Sequence, residues 1–289
     1  MLSLLLMAKG EFMRNCGMRF ECIKMRPHDH IGWIFDGQDG FDALAAPFLA
    51  EGAERGERLM YIAADPDPAA VSRLGAPIAS HGVQVASIAE VYGATGVVDP
   101  STLLAMFTTI FVDALAEGYR GIRVAADNTP LVTDEARLAA WFRWEIIADR
   151  FMSENAATAV CAFDRRKVEV NRLRYLATLH PLSSADSTEP RFRLFAEAGR
   201  LRVEGQIDSF AVSQIPLALE VLPPRTGVLI DLANSRLTSR APLTGLRQLS
   251  DSGVTVTIRG KPDSLSHLAE AGLMSSERLI LQQATAAQT

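Results

Sequence analysis

Cysteine, clustered basic residues and long apolar runs are all scarce in this chain of 289 residues. It has three cysteines, none in a CxxC pair, and this low, odd number favours a reducing compartment over a disulfide scaffold. No run of lysine and arginine accompanies the net charge of −5, so no direct contact with nucleic acid is predicted. The apolar runs are too short to span a membrane, and we expect a cytoplasmic protein with no membrane partner.

A recognisable catalytic constellation is also missing. Spacing along the chain reveals no nucleophile elbow and no catalytic histidine–acid pair. His28-Asp29-His30 offers two metal-ligand types, but no third histidine or cysteine follows at ligand spacing. We therefore predict no metal site, no cofactor and no enzymatic activity, and expect His30 to form hydrogen bonds at the start of a strand.

One stretch that is present, "IGWIFDGQDGF" (Ile31–Phe41), predicts a strand, a glycine loop and a helix. Nucleotide-binding domains use this arrangement to hold phosphate, but they place a lysine in the loop, and this loop has Gln38-Asp39-Gly40. Carboxylates of the loop and of the next strand ends would repel a triphosphate. The sequence therefore predicts a neutral or cationic small molecule as the ligand.

Apolar strands alternate with amphipathic helices through the first two thirds of the chain, which predicts a parallel sheet covered on both faces. Pro181–Pro190 has the composition of a linker, and a smaller strand–helix pattern follows it. The predicted organisation is a poorly ordered extension at 1–26, a first domain at 27–182, a linker at 183–190 and a second domain at 191–289.

Four phrases of the first domain resemble the MEDS sensory domain. They are "HIGWIFD" (His30–Asp36), "GERLMYIAAD" (Gly56–Asp65), "EGYRGIRVAAD" (Glu117–Asp127), and "WEIIADRFMSENAATAVCAFDRRKV" (Trp144–Val168) with "LHP" (Leu179–Pro181). The resemblance implies a RecA/KaiC-like α/β fold with a degenerate nucleotide loop, in which small organic compounds, hydrocarbon derivatives, are sensed. The chain departs from the family pattern by having Gly32 in place of a cysteine, Phe35 in place of a tyrosine and Asp127 in place of a glutamate.

In an open parallel sheet, ligands bind beyond the carboxyl ends of the strands. With the family pattern, this rule gives the candidate ligand-binding residues His30, Phe35, Asp36, Gln38, Asp39, Asp65, Arg123, Asp127 and Asn128. Arg123 is open to two interpretations, a paired structural arginine or a ligand anchor. Asp127 could hold Mg²⁺ or cap the following loop. Cys161 is interpreted as an inert core thiol.

The second domain resembles the STAS fold of anti-sigma-factor antagonists, on its strand–helix order and the phrase "DLANSRLTSRAPLTGLRQL" (Asp231–Leu249). That family carries a phosphorylatable serine at a helix start, and this position is Arg240 here. The resemblance implies partner binding through Ser239 and Arg240 without the phosphate switch, and phosphorylation of Ser239 is the alternative.

These patterns predict a two-domain signalling regulator. A MEDS-like domain would sense a small organic molecule, and a STAS-like domain would relay its state to a protein partner, an anti-sigma factor or kinase-like regulator. A homodimer stays an open alternative. The rival functions are a residual nucleotide-binding or ATP-hydrolysing protein and a scaffold without ligand.

Overall fold

A computed structural model describes residues 16–66, 69–185, 190–197, 200–220, 227–238, 250–251, 253–273 and 275–285. The first sheet is built from β1 (Gly17–Arg19), β2 (His30–Phe35), β3 (Arg58–Ala63), β4 (Val83–Ser87), β5 (Ile122–Asp127), β6 (Ala157–Asp164) and β7 (Leu182–Ser184). Its helices are α1 (Gly37–Arg55), α2 (Ala70–Leu74), α3 (Ala76–His81), α4 (Ile88–Tyr92), α5 (Pro100–Ala116), α6 (Glu135–Glu154) and α7 (Val170–Ala177), with a 3-10 turn at Thr129–Val132.

All seven strands of this sheet are parallel, in the order β1-β7-β2-β6-β5-β3-β4. The prediction of a parallel sheet covered on both faces is confirmed. Helix α1 packs with α2 and α3 on one face, where Phe41, Phe48 and Leu49 are buried. Helices α5, α6 and α7 cover the other face, where Phe107 and Trp141 are buried. Strands buried on both sides have few polar positions, which explains their continuous apolar sequences.

The second sheet contains β8 (Phe192–Glu197), β9 (Arg200–Ile207), β10 (Gly227–Leu232), β11 (Ser235–Leu237), β12 (Thr255–Gly260) and β13 (Leu279–Gln283), with helices α8 (Ser209–Glu220) and α9 (Pro262–Glu270). Strands β8 and β9 form an antiparallel hairpin, and the other pairings are parallel. Buried apolar residues of β8 belong to the same core as α6, so the two sheets share one apolar interior.

Two short strands of the first sheet lie at the predicted edges of the first domain. Strand β7 overlaps the predicted linker by two residues, 183 and 184, and pairs with β1, which lies within the predicted extension at 1–26. Met25 is fully buried in the same extension, and Cys22 is buried beside it. Two three-residue strands leave no periodic pattern in a sequence, which is why the pattern missed them. Residues 1–15 lie outside the described part of the chain.

Two further predictions concern the partner-binding residues and a membrane span. Ser239 and Arg240, the candidate partner-binding residues, fall in 239–249, outside the described residues. Among the helices that the structure describes, none combines the length and the apolar character needed to cross a membrane.

Candidate functional site

Several of the predicted ligand-binding residues lie at the carboxyl edge of the first sheet, where they are exposed to solvent or bonded to other side chains. Asp36, Asp39 and Asp65 are exposed. Gln38 donates its amide to Asp42 (Nε2–Oδ1 2.9 Å) and to the hydroxyl of Tyr61 (2.7 Å). This edge therefore has a surface of separate carboxylates rather than a closed pocket.

The loop before α1 already contains an anion, the carboxylate of Asp164 at the end of β6. It accepts the backbone N–H of Gly37, at the start of the helix, and both guanidinium contacts of Arg166 (Nε–Oδ1 3.0 Å, Nη2–Oδ2 2.8 Å). The pKa of Asp164 is lowered to about 2, mainly by the hydrogen bonds from the Arg166 side chain and then by the backbone donors. Asp164 thus provides an anion at the positive end of the helix dipole of α1.

Arg123 has the contacts of a structural arginine. Its guanidinium, fully buried, pairs with Glu57 and with Glu51 (Nη1–Oε2 3.2 Å), and it donates to the backbone carbonyl of Met25 (3.2 Å). It also stacks over Phe48, with 4.7 Å between the guanidinium carbon and the ring centroid. These contacts join β5 to α1 and to the segment before β2, and they favour the structural interpretation over the ligand anchor.

The remaining carboxyl-edge candidates are buried. Phe35 packs on Phe41 with 5.4 Å between ring centroids. Asp127 accepts the backbone N–H of Thr129 (3.0 Å), the bond of a loop cap, and burial raises its pKa. Asn128 is buried, and neither its amide nitrogen nor its amide oxygen has a hydrogen-bond partner among the described residues. Asn128 lies close enough to Cys161 to affect the pKa of that thiol.

Four titratable side chains meet under α6, in the interior of the first domain. His30 is the first residue of β2, Cys161 lies on β6, Glu145 lies on α6, and His180 follows α7. All four are buried, and one ligand-type atom from each lies within 4.8 Å of those of the others. We call this group the His–Glu–Cys–His cluster.

The distances within the cluster are those of direct contact. The Glu145 Oε2 atom lies 3.1 Å from His30 Nε2 and 3.2 Å from His180 Nε2. The Cys161 Sγ atom lies 3.4 Å from His30 Nε2 and 3.8 Å from Glu145 Oε1. Both imidazoles therefore present Nε2 to the centre of the cluster.

The outer nitrogen of each imidazole is fixed by another group. His30 Nδ1 lies 3.1 Å from Asp149 Oδ1, one helical turn beyond Glu145 on α6. His180 Nδ1 lies 2.8 Å from the backbone carbonyl of Leu176. These bonds hold the orientation of both rings, so that each Nε2 faces inward.

Burial and mutual charge set the protonation of the cluster. Burial alone would lower the pKa of His30, but Cys161, Asp149 and Glu145 outweigh burial and raise it well above its ordinary value. Burial, with the charge of His30, lowers the pKa of His180. The pKa of Cys161 is raised to about 11, chiefly by burial and then by Glu145. In the absence of other cations the thiol is therefore protonated at neutral pH.

A cavity of about 40 Å³ adjoins the cluster. His30, Glu145 and Cys161 form its polar wall, and the rest of its lining is mainly apolar, with Phe107, Val124, Trp144, Ala148, Phe151 and Met152. Polar atoms on one wall and aromatic or aliphatic groups on the others are the usual composition of a small-molecule site.

Sequence reasoning found only one residue of the cluster, His30, and it missed Glu145, Cys161 and His180. The four residues come from four separate segments of the chain, so no local spacing connects them. One signal was available, because Glu145 and Asp149 are acids four residues apart on a helix, with the apolar residues Ile146, Ile147 and Ala148 between them. Buried acids of that kind require partners.

Comparison with known proteins identifies the family of the first domain. The family profile for MEDS, the methanogen/methylotroph DcmR sensory domain, matches residues 29–181. The matched range contains every member of the His–Glu–Cys–His cluster and ends one residue beyond His180. No curated protein matches the chain significantly.

Proposed function

The chain belongs to the MEDS family, and from this premise we propose that it is a signalling protein whose first domain binds a small organic molecule in the cavity beside the His–Glu–Cys–His cluster. The sensory character of the family indicates a role in signalling. The observation that carries the choice of site is the cavity itself, which combines a mainly apolar lining with three titratable side chains of the cluster.

The volume of the cavity limits the ligand. A water-sized position needs about 10–15 Å³, so the cavity accommodates roughly two to four non-hydrogen atoms. That size suits a short-chain hydrocarbon derivative with one polar group, which could contact His30 or Glu145 while its carbon atoms pack on Phe107 and Trp144. A nucleotide is far too large for it.

We propose that the second domain relays the state of this site to a protein partner. Its strand β8 contacts the segment that carries His180: Arg193 donates to the carbonyl of His180 and to Ser183 Oγ (2.9 Å), and Leu194 N–H donates to the carbonyl of Thr178 (3.1 Å). A ligand that moves His180 would therefore displace groups bonded directly to β8.

On this proposal the second domain acts as a STAS-like module, and its partner is an anti-sigma factor or a kinase-like regulator. Ser239 and Arg240 are its proposed contact residues. Homodimer formation would be another way to relay the state of the site. The mass of the protein in solution would detect a dimer.

Filling the cavity tests the sensory site. Ala148 lies on α6 and lines the cavity, whereas Ala139 lies on the same helix, is exposed and is absent from the lining. We expect methanol, ethanol and propanol at millimolar concentration to raise the thermal midpoint of the wild-type protein and of Ala139→Leu. Ala148→Leu should lose this response because leucine fills the cavity.

The same measurement can contradict the proposal. An equal response in Ala148→Leu and Ala139→Leu would place the binding site elsewhere. If neither short alcohols nor short amines and carboxylic acids raise the midpoint, and native mass spectrometry of the purified protein shows no retained ligand, the sensory assignment of this cavity is wrong.

A further inference from the structure

The His–Glu–Cys–His cluster has the composition and geometry of a metal centre. We propose that His30, Glu145, Cys161 and His180 bind one divalent transition-metal ion, and that Zn²⁺ is the ion their chemistry fits best. The inference rests on the four side chains and not on the ligand proposed for the neighbouring cavity.

The hydrogen-bonding capacity of the cluster is unbalanced without an ion. The carbonyl of Leu176 can only accept, so His180 Nδ1 carries the proton, and the Nε2 of the neutral ring is an acceptor. This Nε2 faces Glu145 Oε2 at 3.2 Å, and the carboxylate is also an acceptor. Neither atom has a hydrogen-bond partner among the described residues. A protonated His30 Nε2, at 3.1 Å, can face Glu145 Oε2, but it supplies no donor to His180 Nε2. A metal ion at the centre would accept the lone pairs of both atoms.

The spacing of the four groups is close to that of tetrahedral ligands. Nitrogen, oxygen and sulfur atoms bound to Zn²⁺ at about 2.0–2.3 Å stand roughly 3.3–3.8 Å from one another at the corners of a tetrahedron. Three contacts lie within a few tenths of an ångström of these values: Glu145 Oε2 to His30 Nε2 (3.1 Å), Glu145 Oε2 to His180 Nε2 (3.2 Å) and Cys161 Sγ to His30 Nε2 (3.4 Å). One ligand atom from each of the four side chains lies within 4.8 Å of those of the others.

Charge and ligand type also favour a divalent transition metal. A thiolate from Cys161 and a carboxylate from Glu145 would neutralise the two positive charges, and a neutral centre is the form that a buried site tolerates. Two imidazoles with a thiolate favour Zn²⁺ over Mg²⁺ or Ca²⁺, which require oxygen ligands. The bond from His30 Nδ1 to Asp149 is the carboxylate–histidine contact that orients metal-binding histidines.

A bound ion would join four segments of the chain. It would connect β2, β6 and α6 to His180, in the segment after α7. The backbone carbonyl of His180 accepts a hydrogen bond from Arg193 of the second sheet. Occupancy of the centre would thus hold the wall of the cavity and its contact with β8 in one arrangement.

The test uses the full chain, produced without a histidine tag in medium supplemented with Zn²⁺ or Co²⁺. We expect close to one equivalent of metal per chain by elemental analysis. In the Co²⁺ form we expect the near-ultraviolet thiolate-to-cobalt charge-transfer band, together with the intense visible bands of tetrahedral Co²⁺. Cys161→Ser should lose the charge-transfer band, and Asp149→Asn should bind the ion about 10–100-fold more weakly.

Cys22→Ser is the matched control, because Cys22 is also buried but lies outside the cluster. It should keep the metal content and the band of the wild type. If the wild-type protein contains no stoichiometric metal and shows no band after Co²⁺ supplementation, the proposal is overturned whether or not the variants fold. Retention of the band by Cys161→Ser would overturn it as well.

Discussion

Gly32 lies directly against the imidazole of His180. A Cβ atom built on Gly32 would lie 2.8 Å from His180 Nδ1 and 2.9 Å from Cγ. Because real Cβ atoms do not approach so closely, the absence of a side chain at position 32 allows His180 to reach the cluster. Gly32 is also the register partner of Cys161 on the neighbouring strand β6.

We expect Gly32→Ala to lower the free energy of unfolding by about 1–3 kcal/mol, because the buried imidazole must move to admit the methyl group. Gly40→Ala is the control. Its Cβ would meet only Phe35, at 3.8 Å, and its position inside α1 favours alanine. Urea denaturation of both variants measures the difference. Equal stabilities would show that His180 has room to move.

The second prediction concerns nucleotide. Asp164 occupies the anion position at the start of α1 and is held there by Arg166, so we expect no binding of ATP–Mg²⁺ at sub-millimolar concentration. Isothermal titration calorimetry of the full chain is the measurement. A micromolar dissociation constant would instead support the residual nucleotide-binding function.

Much of the fold could be predicted from sequence, because hydrophobic period and length identify buried strands and helices. The parallel sheet covered on both faces was predicted, and the strand and helix predicted for Ile31–Phe41 correspond to β2 and α1. Strands β1 and β7 were not predicted, since three residues carry no periodicity. Tertiary pairing alone determines them.

The candidate site was less predictable for a different reason. His30 was recognised at the start of a strand, but its partners Glu145, Cys161 and His180 are distant in sequence and become neighbours only through β2–β6 pairing and the packing of α6. Conversely, the acids predicted at the carboxyl edge lie at or just after the ends of their strands. Their environment depends on Asp164 and Arg166, which the sequence pattern did not select.

Acid should destabilise the protein partly through Asp164. Arg166 and the backbone donors lower the folded-state pKa to about 2, below the unfolded value of about 3.9. The contribution is therefore fully present above pH ~4 and is lost as the pH falls towards 2. Because Arg166 is more than half exposed, we expect less than about 1 kcal/mol from this ion pair.

The measurement for Asp164 is the free energy of unfolding between pH 5 and pH ~2.5, for wild type and Asp164→Asn. The wild type should lose more stability over this interval than the variant, so that the two curves converge at acid pH. Parallel curves would show that Asp164 has an ordinary pKa.

The contact between the two sheets predicts coupled unfolding. Arg193 on β8 is buried and donates hydrogen bonds to the carbonyl of His180 and to the hydroxyl of Ser183. The side chain of Arg191 is 75% exposed, and its guanidinium lies 3.9 Å from the carboxylate of Asp208. Arg193→Met should lower stability by about 2–4 kcal/mol, because it leaves buried acceptors unsatisfied. Arg191→Ala should change it by less than about 0.5 kcal/mol.

Urea unfolding followed by two probes checks this coupling. Far-ultraviolet circular dichroism reports both sheets, and the fluorescence of Trp33, Trp141 and Trp144 reports the first domain, which contains every tryptophan of the chain. We expect coincident transitions in the wild type and separated transitions in Arg193→Met. Separated transitions in the wild type would show that the shared interior does not couple the sheets.

The last prediction concerns Arg240 and the proposed protein partner. On the proposed STAS-like assignment, Arg240 puts a fixed positive charge at the position of a phosphorylatable serine, so a partner should meet it with carboxylates. Arg240→Ala should weaken binding to a cognate anti-sigma factor by about 1–3 kcal/mol if the pair is buried in the interface. Arg236→Ala, which removes an exposed arginine on β11, is the control and should bind like the wild type.

Intact mass after incubation with a partner kinase and ATP distinguishes the alternative, because a phosphate on Ser239 of the wild type would show a working phosphorylation switch. Affinity unchanged in both variants, with no phosphate gained, would remove Ser239 and Arg240 from the partner-binding surface.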